Sequence, residues 1–241
     1  MSIRAVICDI YGTVLEVGPP PGNAAVLWDE LCQRFGLRPR PLSLVEFDER
    51  CRGAIQQAHA EAGMRGVVFP EVFWPRIALT AWPELGSWPE RKLETFLYEH
   101  AQLEKSIRLM AGAAEALANI SRNGMLLGLC SNCQPYTLHE LRRAFAGTGL
   151  ALDRFHPQLR FFSFEAGFSK PNPAAFQQLE HALKALGIPP MEALMVGDRV
   201  DNDLLPAKTR GWQTWHLATM PAETPGGTWR ELQEFLVGQT P

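Results

Sequence analysis

The chain alternates short apolar runs with longer stretches in which apolar residues recur every three or four positions. Unbroken short apolar runs predict buried strands, and the three- to four-residue spacing predicts amphipathic helices. The predicted strands cover residues 4–9, 126–131, about 160–164, 193–197 and 213–217. The helical spacing between them is clearest over residues 112–122, 136–146 and 173–186. Strands that alternate with helices predict an α/β fold with a parallel sheet covered by helices on both faces.

Residues 15–108 interrupt this alternation and show no strand pattern. Apolar residues at helical spacing predict a first helix that stops at Gly36, followed by helices over residues 44–62, 69–80 and 89–104. Four tryptophans are expected to form the core of this region: Trp28, Trp74, Trp82 and Trp88. We therefore expect a helical insertion after the first strand, large enough to shield a crevice from water. It is called the cap segment below.

Composition narrows the class of protein. The 241 residues are 46% hydrophobic and 20% charged, which is ordinary for a globular protein. A net charge of -3 leaves no basic surface of the kind that binds nucleic acid or an anionic membrane. No stretch approaches the ~20 apolar residues that span a bilayer. Five cysteines without a regular framework indicate reduced thiols. We expect a cytoplasmic protein that acts on a small molecule.

Charged and hydroxyl residues follow three of the predicted strands. Asp9 comes after the first apolar run, Ser131 ends the second, and Asp198 follows the run over residues 193–197. Lys170 lies between the last two. Open parallel sheets bind ligands at the carboxyl ends of their strands, so these side chains are expected to converge on one crevice. Two aspartates, a serine and a lysine in one place indicate a site that handles an anion and can hold a metal ion.

Four segments in this order resemble the four motifs of the haloacid dehalogenase (HAD) superfamily of aspartate-nucleophile hydrolases. They are Asp9-Ile10-Tyr11-Gly12-Thr13, Ser131-Asn132, Lys170-Pro171-Asn172-Pro173 and Gly197-Asp198-Arg199-Val200-Asp201-Asn202-Asp203. Each motif alone is a weak signal, but the ordered set is specific. The resemblance covers nearly the whole chain and implies a Rossmann-like core with an inserted helical cap. The core would comprise residues 1–14 and 109–241, and the cap residues 15–108.

The resemblance also implies roles for individual residues. Asp9 would be the nucleophile and would form a covalent aspartyl intermediate, which divides one difficult step into two easier ones. Ser131 would donate a hydrogen bond to the transferring group, and Lys170 would neutralise its charge while steadying Asp9. Substrate contacts would come from Tyr11, Thr13, Ser131, Asn132 and Lys170.

A Mg²⁺ site is the second implication. Its ligands would be Asp9, Asp198 and the backbone carbonyl of Tyr11, with Asp203 behind them. Charge arithmetic supports the same conclusion, because three carboxylates (Asp9, Asp198 and Asp203) against Lys170 leave a surplus of two negative charges. Carboxylates clustered in this way raise one another's pKa and repel an anionic substrate. A bound divalent cation removes both problems.

Tyr11 is the main departure from the phosphatases of the family, which carry a second aspartate at this position. A tyrosine has an unperturbed pKa near ~10 and is a poor base at neutral pH. General acid–base catalysis is worth roughly 10²–10⁴-fold in rate, so a slow phosphatase is expected. Tyrosine at this position is similar to the 2-haloacid dehalogenases, whose halide leaves without a proton. Their metal-free sites, however, lack acidic residues such as Asp198 and Asp203.

Three functions therefore remain after the sequence analysis. The leading hypothesis is a Mg²⁺-dependent phosphatase of a small phosphorylated metabolite. The alternatives are a 2-haloacid dehalogenase and a non-catalytic protein that binds phosphorylated metabolites. The six histidines show no spacing typical of metal ligands, and no role is assigned to them.

Overall fold

The protein is built on one mostly buried six-stranded sheet. A computed structural model describes residues 2–37, 42–218 and 225–238. The strands of this sheet are β1 (Ala5–Cys8), β4 (Leu126–Ser131), β5 (Phe155–Phe162), β6 (Ala193–Gly197), β7 (Gln213–Leu217) and β8 (Gly226–Gly227). Their order is β5-β4-β1-β6-β7-β8, and every neighbouring pair is parallel. This is the α/β fold with a Rossmann-like sheet that the sequence predicts.

The register of the central strands places the candidate residues at one edge. Cys8 at the end of β1 is level with Leu129 of β4 on one side and with Val196 of β6 on the other. Asp9 follows Cys8 directly, and Ser131 and Asp198 each lie two residues beyond the paired positions. All three therefore emerge at the carboxyl edge of the sheet, on adjacent strands.

Helices cover both faces of the sheet because its strands are apolar on both sides. Alternate residues of β1 enter two separate clusters, with Val6 and Cys8 in one and Ala5 and Ile7 in the other. The first cluster is closed by α5 (Ala113–Arg122), α6 (Pro135–Phe145) and α10 (Trp229–Val237). The second is closed by α8 (Pro173–Ala185) and α9 (Leu205–Lys208). A short helix, α7 (Ser163–Ala166), follows β5.

The predicted strands and core helices are confirmed with small changes in their ends. Residues 126–131, 193–197 and 213–217 are strands over their full predicted lengths, and β1 is one residue shorter at each end. The strand predicted at about 160–164 instead begins at Phe155 and ends at Phe162, where α7 takes over. Its first half was missed because exposed polar residues interrupt the apolar pattern there.

The cap segment contains four α-helices in the described residues and has its own apolar cluster. They are α1 (Ala24–Arg34), α2 (Leu44–Met64), α3 (Trp74–Ala81) and α4 (Glu90–Glu104). Trp28 and Trp82 are buried in that cluster, and Trp74 and Trp88 are partly buried against it. Of the helices that the structure describes, none combines the length and apolar character of a membrane span.

Two expectations for the cap segment are wrong. The expectation that it contains no strand is wrong: at its two ends, β2 (Leu15–Gly18) and β3 (Ser106–Leu109) pair as an antiparallel ribbon, with Glu16 bound to Arg108 across it. Four-residue strands far apart in sequence are too short to give a pattern. The helix predicted over residues 69–80 begins only at Trp74, because Pro70 bridges to Phe168 of the core instead.

Candidate active site

A buried lysine holds two carboxylates together at the carboxyl edge of the sheet. The ammonium group of Lys170 donates to Asp9 Oδ1 at 2.7 Å, to Asp203 Oδ1 at 2.6 Å and to the Cys130 carbonyl at 2.6 Å. An ammonium has three donors, so all of them are used. Lys170 and Asp203 are 4% and 1% exposed, and Asp9 is 6% exposed. The sequence prediction that these distant residues meet is confirmed.

Asp198 completes an acidic cluster with Asp9 and Asp203, and it is the most exposed of the three. Asp9, Asp198 and Asp203 each bring a carboxylate oxygen to within 4.8 Å of the other two. Two glycines make this approach possible. A Cβ at Gly12 would lie 2.3 Å from Asp198 Oδ2, and Gly12 also has a φ of +77°, which favours glycine. A Cβ at Gly197 would lie 2.5 Å from Asp203 Oδ2.

The electrostatics of the cluster reflect burial and crowding of like charges. Burial, reinforced by the Asp9 carboxylate, raises the pKa of Asp198 above its ordinary value. Burial also raises the pKa of Asp203 to about 6, although Lys170 acts in the opposite direction. Burial by itself would lower the pKa of Lys170, but Asp9 and Asp203 reverse this and raise it. The lysine is therefore charged at neutral pH, while the carboxylates still carry more negative charge than it offsets.

Two hydroxyl groups near the cluster are buried without a partner. Ser131 is 1% exposed and Thr13 is fully buried, and neither hydroxyl has a hydrogen-bond partner among the described residues. Buried polar groups are nearly always hydrogen-bonded. Ser131 ends β4 and Asp9 directly follows the neighbouring strand β1, so the free Ser131 hydroxyl is available to a ligand at this edge. The backbone carbonyl of Thr13 accepts from the Trp229 indole at 3.0 Å.

Asn132 contacts the backbone that carries the lysine. Its amide nitrogen donates to the Lys170 carbonyl at 3.0 Å, and its amide oxygen accepts from the Lys170 N–H at 2.7 Å. Both ends of the Asn132 amide are therefore committed to positioning Lys170. The exposed Arg199 side chain pairs with Asp201 rather than with the cluster.

The Tyr11 side chain belongs to a separate polar network between the core and the cap segment. Its hydroxyl donates to Glu140 Oε2 at 2.5 Å and lies 2.7 Å from Thr137 Oγ1. Gln102 donates to Glu140 Oε1 at 3.0 Å, and the Lys105 ammonium lies 3.8 Å from the centre of the Tyr11 ring. Burial, together with the Glu140 carboxylate, raises the pKa of Tyr11 far above its usual value. The phenol therefore stays protonated at neutral pH and is a weaker acid than an isolated tyrosine.

Two acidic residues of this region were missed by the sequence analysis. Glu140 lies on the buried face of α6, three residues after Thr137, and a charged residue on that face was an available signal. Glu71 of the cap segment accepts from Ser163 at 2.6 Å, Ser169 at 3.3 Å and Gln134 at 3.1 Å. No sequence pattern marks Glu71, because its partners come from three separate parts of the core. Through these hydrogen bonds Glu71 links the cap segment to the core beside Lys170.

The amino-acid sequence is similar to those of known hydrolases. The family model described as haloacid dehalogenase-like hydrolase matches residues 3–211. The chain is 37% identical over 141 residues to phosphoserine phosphatase from Thermus thermophilus, which covers 58% of this chain and 52% of the relative. It is 34% identical over 110 residues to glyceraldehyde 3-phosphate phosphatase from Pyrococcus furiosus, which covers 45% of this chain and 41% of the relative. The matches span about half the length of these curated relatives.

Comparison of structures supports the same fold. The 2-haloacid dehalogenase from Pseudomonas syringae superposes with a TM-score of 0.60 and 20% identity, covering 99% of this chain and 100% of that one. At this identity the likeness concerns the fold alone. The family match covers most of the sequence, and the sheet topology and the aspartates clustered around Lys170 agree with it. The chain therefore belongs to the haloacid dehalogenase-like hydrolases.

Proposed function

We propose that this hydrolase removes phosphate from a small phosphorylated metabolite in a Mg²⁺-dependent reaction, through a phosphorylated Asp9. The observation that carries the proposal is the acidic cluster held around the buried Lys170 ammonium. The names of the two phosphatase relatives support it. Residues 15–108 are proposed as the cap and residues 1–14 and 109–241 as the core.

The donor atoms of the cluster fit Mg²⁺. This ion takes oxygen ligands in octahedral geometry, usually a few carboxylates together with water and phosphate oxygens. Asp9, Asp198 and the Tyr11 backbone carbonyl would hold it, with Asp203 behind them. The arrangement of charges supports a cation here, because three carboxylates lie around the single Lys170 ammonium. When bound, Mg²⁺ supplies positive charge that neutralises both the carboxylates and an incoming phosphate.

Asp9 is suited to act as the nucleophile. Lys170 binds Asp9 Oδ1, which orients the carboxylate and leaves Oδ2 to attack phosphorus. A bond forms between Oδ2 and phosphorus while the ester P–O bond breaks, and the leaving oxygen departs as an alkoxide that takes a proton from solvent. Water then attacks phosphorus and loses a proton to solvent while the bond between Oδ2 and phosphorus breaks, which releases inorganic phosphate and regenerates Asp9. The unpartnered Ser131 hydroxyl would donate to a phosphoryl oxygen.

The weak point of this phosphatase is proton transfer at position 11. The Tyr11 hydroxyl is already engaged with Glu140 and Thr137. It therefore offers neither a free proton for the leaving oxygen nor a base for the attacking water. We expect slow turnover, and a preference for substrates whose leaving group needs no proton, such as acyl phosphates.

One observation favours a second function, 2-haloacid dehalogenation. Tyr11 replaces the acid that a phosphatase needs, and a departing halide needs none. The acidic cluster opposes this alternative, because it would repel the carboxylate of a 2-haloacid unless a cation were bound.

A panel of phosphomonoesters, acyl phosphates and 2-haloacids, assayed with Mg²⁺ and with EDTA, tests these functions. We expect phosphate release with Mg²⁺, its loss in EDTA and its recovery when Mg²⁺ is added back. Halide release that persists in EDTA would instead establish the dehalogenase. Thermal stabilisation by phosphorylated metabolites without turnover of any compound would point to a binding protein.

The Tyr11→Asp variant should turn over phosphomonoesters faster than the wild type. A carboxylate at position 11 restores a general acid and base, an effect worth roughly 10²–10⁴-fold when its geometry is good, so we expect a gain of about tenfold or more. Tyr11→Phe is the control, because it removes the hydroxyl without adding an acid and should leave turnover unchanged. Steady-state kinetics with an unactivated phosphomonoester measure both. A folded Tyr11→Asp protein with no gain would mean that another residue already supplies the proton.

A further inference from the structure

The cap segment contains a polar cavity that the proposed reaction does not use. The cavity has a volume of ≈ 360 Å³ and lies between α2, α3, α4 and the first turn of α6. Its polar and aromatic lining comprises Asp48, Arg52, Trp74, His100, Glu104 and Tyr136. The cluster around Lys170 contributes no residue to this lining, so the cavity is a separate candidate site.

His100 is the unusual member of this lining. The residue is fully buried, and neither ring nitrogen has a hydrogen-bond partner among the described residues. Its ring is held on three sides by aromatic groups: Trp74 stacks on it with centroids 5.8 Å apart, and the rings of Phe47 and Trp28 meet it edge-on at 5.1 Å and 5.5 Å. A buried polar group without a partner requires an explanation, because leaving it unsatisfied is unfavourable.

The Nε2 atom of His100 faces two carboxylates. It lies 3.6 Å from Asp48 Oδ1 and 3.9 Å from Glu104 Oε1, which is too long for a hydrogen bond. All three residues offer a ligand atom within 4.8 Å of the other two. A Zn²⁺ ion lies about 2.0–2.2 Å from such ligands, so two ligands of one tetrahedral ion are about 3.3–3.6 Å apart. The observed distances of 3.6 and 3.9 Å are equal to or slightly longer than this separation. The side chains of Asp48 and Glu104 are 37% and 49% exposed, so they are free to move closer to Nε2.

We infer that Asp48, His100 and Glu104 form a second metal site, which takes a divalent transition-metal ion of the Zn²⁺ class. One imidazole nitrogen with two carboxylate oxygens suits Zn²⁺ and its transition-metal neighbours, whereas Mg²⁺ and Ca²⁺ prefer oxygen ligands alone. The metal satisfies the buried Nε2 and offsets the two carboxylates. The cavity leaves room for water as a fourth ligand.

The position of the site in the fold explains how it would act. His100 and Glu104 are four residues apart on α4, so they share one helix face, and Asp48 comes from α2. This spacing is a metal-ligand spacing that the sequence analysis did not recognise. A metal here links two cap helices and stabilises their packing, because it binds the folded state and not the unfolded chain.

Calorimetric titration of the metal-free 241-residue protein with Zn²⁺ tests the inference. The titration is done in excess Mg²⁺, and again in the Asp198→Asn background, so that uptake by the acidic cluster around Lys170 is removed. We expect one equivalent of Zn²⁺ to bind in both cases. The His100→Gln variant should bind it about 100-fold more weakly or not at all, since even indirect partners of metal ligands contribute 10–100-fold.

The matched control is His59→Gln, which removes an exposed histidine from α2 and should leave Zn²⁺ binding unchanged. If His100→Gln does not fold, Asp48→Asn and Glu104→Gln provide the same test at partly exposed positions. Thermal denaturation with and without Zn²⁺ gives an independent readout, and the shift in Tm should disappear in these variants. Wild-type protein that binds no Zn²⁺ under these conditions, or binding that survives all three substitutions, would overturn the inference. Neither result would affect the proposed phosphatase, whose ligands lie elsewhere.

Discussion

The Asp9→Asn variant is expected to lose phosphatase activity by on the order of 10⁴-fold or more. An amide of the same shape is not a nucleophile, so the covalent route through Asp9 closes, and the loss of a nucleophile removes most of the rate enhancement in enzymes of this kind. The fold should survive, because Lys170 retains Asp203 and the Cys130 carbonyl as acceptors. Steady-state kinetics and intact-mass analysis after mixing with an acyl phosphate measure the loss of turnover and of the covalent adduct.

The matched control for this variant is Asp201→Asn. Asp201 lies in the same motif as Asp198, but its exposed side chain pairs with Arg199 at the surface. Exposed pairs of this kind contribute little, and activity should stay near that of the wild type. An Asp9→Asn protein that still releases phosphate at a comparable rate, with Mg²⁺ present, would rule out Asp9 as the nucleophile.

The Lys170→Met variant should lose both activity and stability. Methionine fills a similar volume but removes the ammonium that Asp9 and Asp203 share in the buried site. Removing one partner of a buried ion pair leaves uncompensated charge and typically costs about 3–5 kcal/mol in the free energy of unfolding. The orientation of Asp9 is lost with the same substitution, so we expect turnover to fall at least about 10³-fold.

Urea denaturation in EDTA, followed by far-UV circular dichroism, measures the stability of this variant. The control is Lys184→Met, which changes an exposed lysine on α8 and should alter stability by no more than about 0.5 kcal/mol. Added Mg²⁺ should recover part of the stability of Lys170→Met, because a cation again offsets the carboxylates. A Lys170→Met protein as stable and as active as the wild type would show that the buried ion pair is not needed.

The local pattern of apolar residues was sufficient to predict strands that are strongly apolar and helices whose stabilising contacts are close in sequence. The runs at 126–131, 193–197 and 213–217 form strands over their predicted lengths. The meeting of Asp9, Asp198 and Lys170 also followed from the pattern, because a parallel sheet carries the carboxyl ends of its strands to a common edge.

Pattern was insufficient where a contact joins short or irregular segments that are far apart in the chain. The pairing of β2 with β3 depends on the chain returning after the cap helices, and four residues give no detectable period. The segment before Trp74 was predicted to be helical from its apolar spacing, but it pairs with residues near Lys170 instead. In both cases tertiary contacts override local preference, since they satisfy backbone groups that a helix would otherwise satisfy.

The sequence by itself determined the α/β alternation, the ordered motifs and the surplus of acidic charge at one edge of the sheet, because these depend only on residue type, spacing and the geometry of parallel strands. Only the tertiary structure decided that Glu140 holds the Tyr11 hydroxyl, that Glu71 joins the cap segment to the core, and that His100 is buried beside Asp48. Each of these contacts joins side chains from different elements. Packing in three dimensions selects them, and no period along the chain records them.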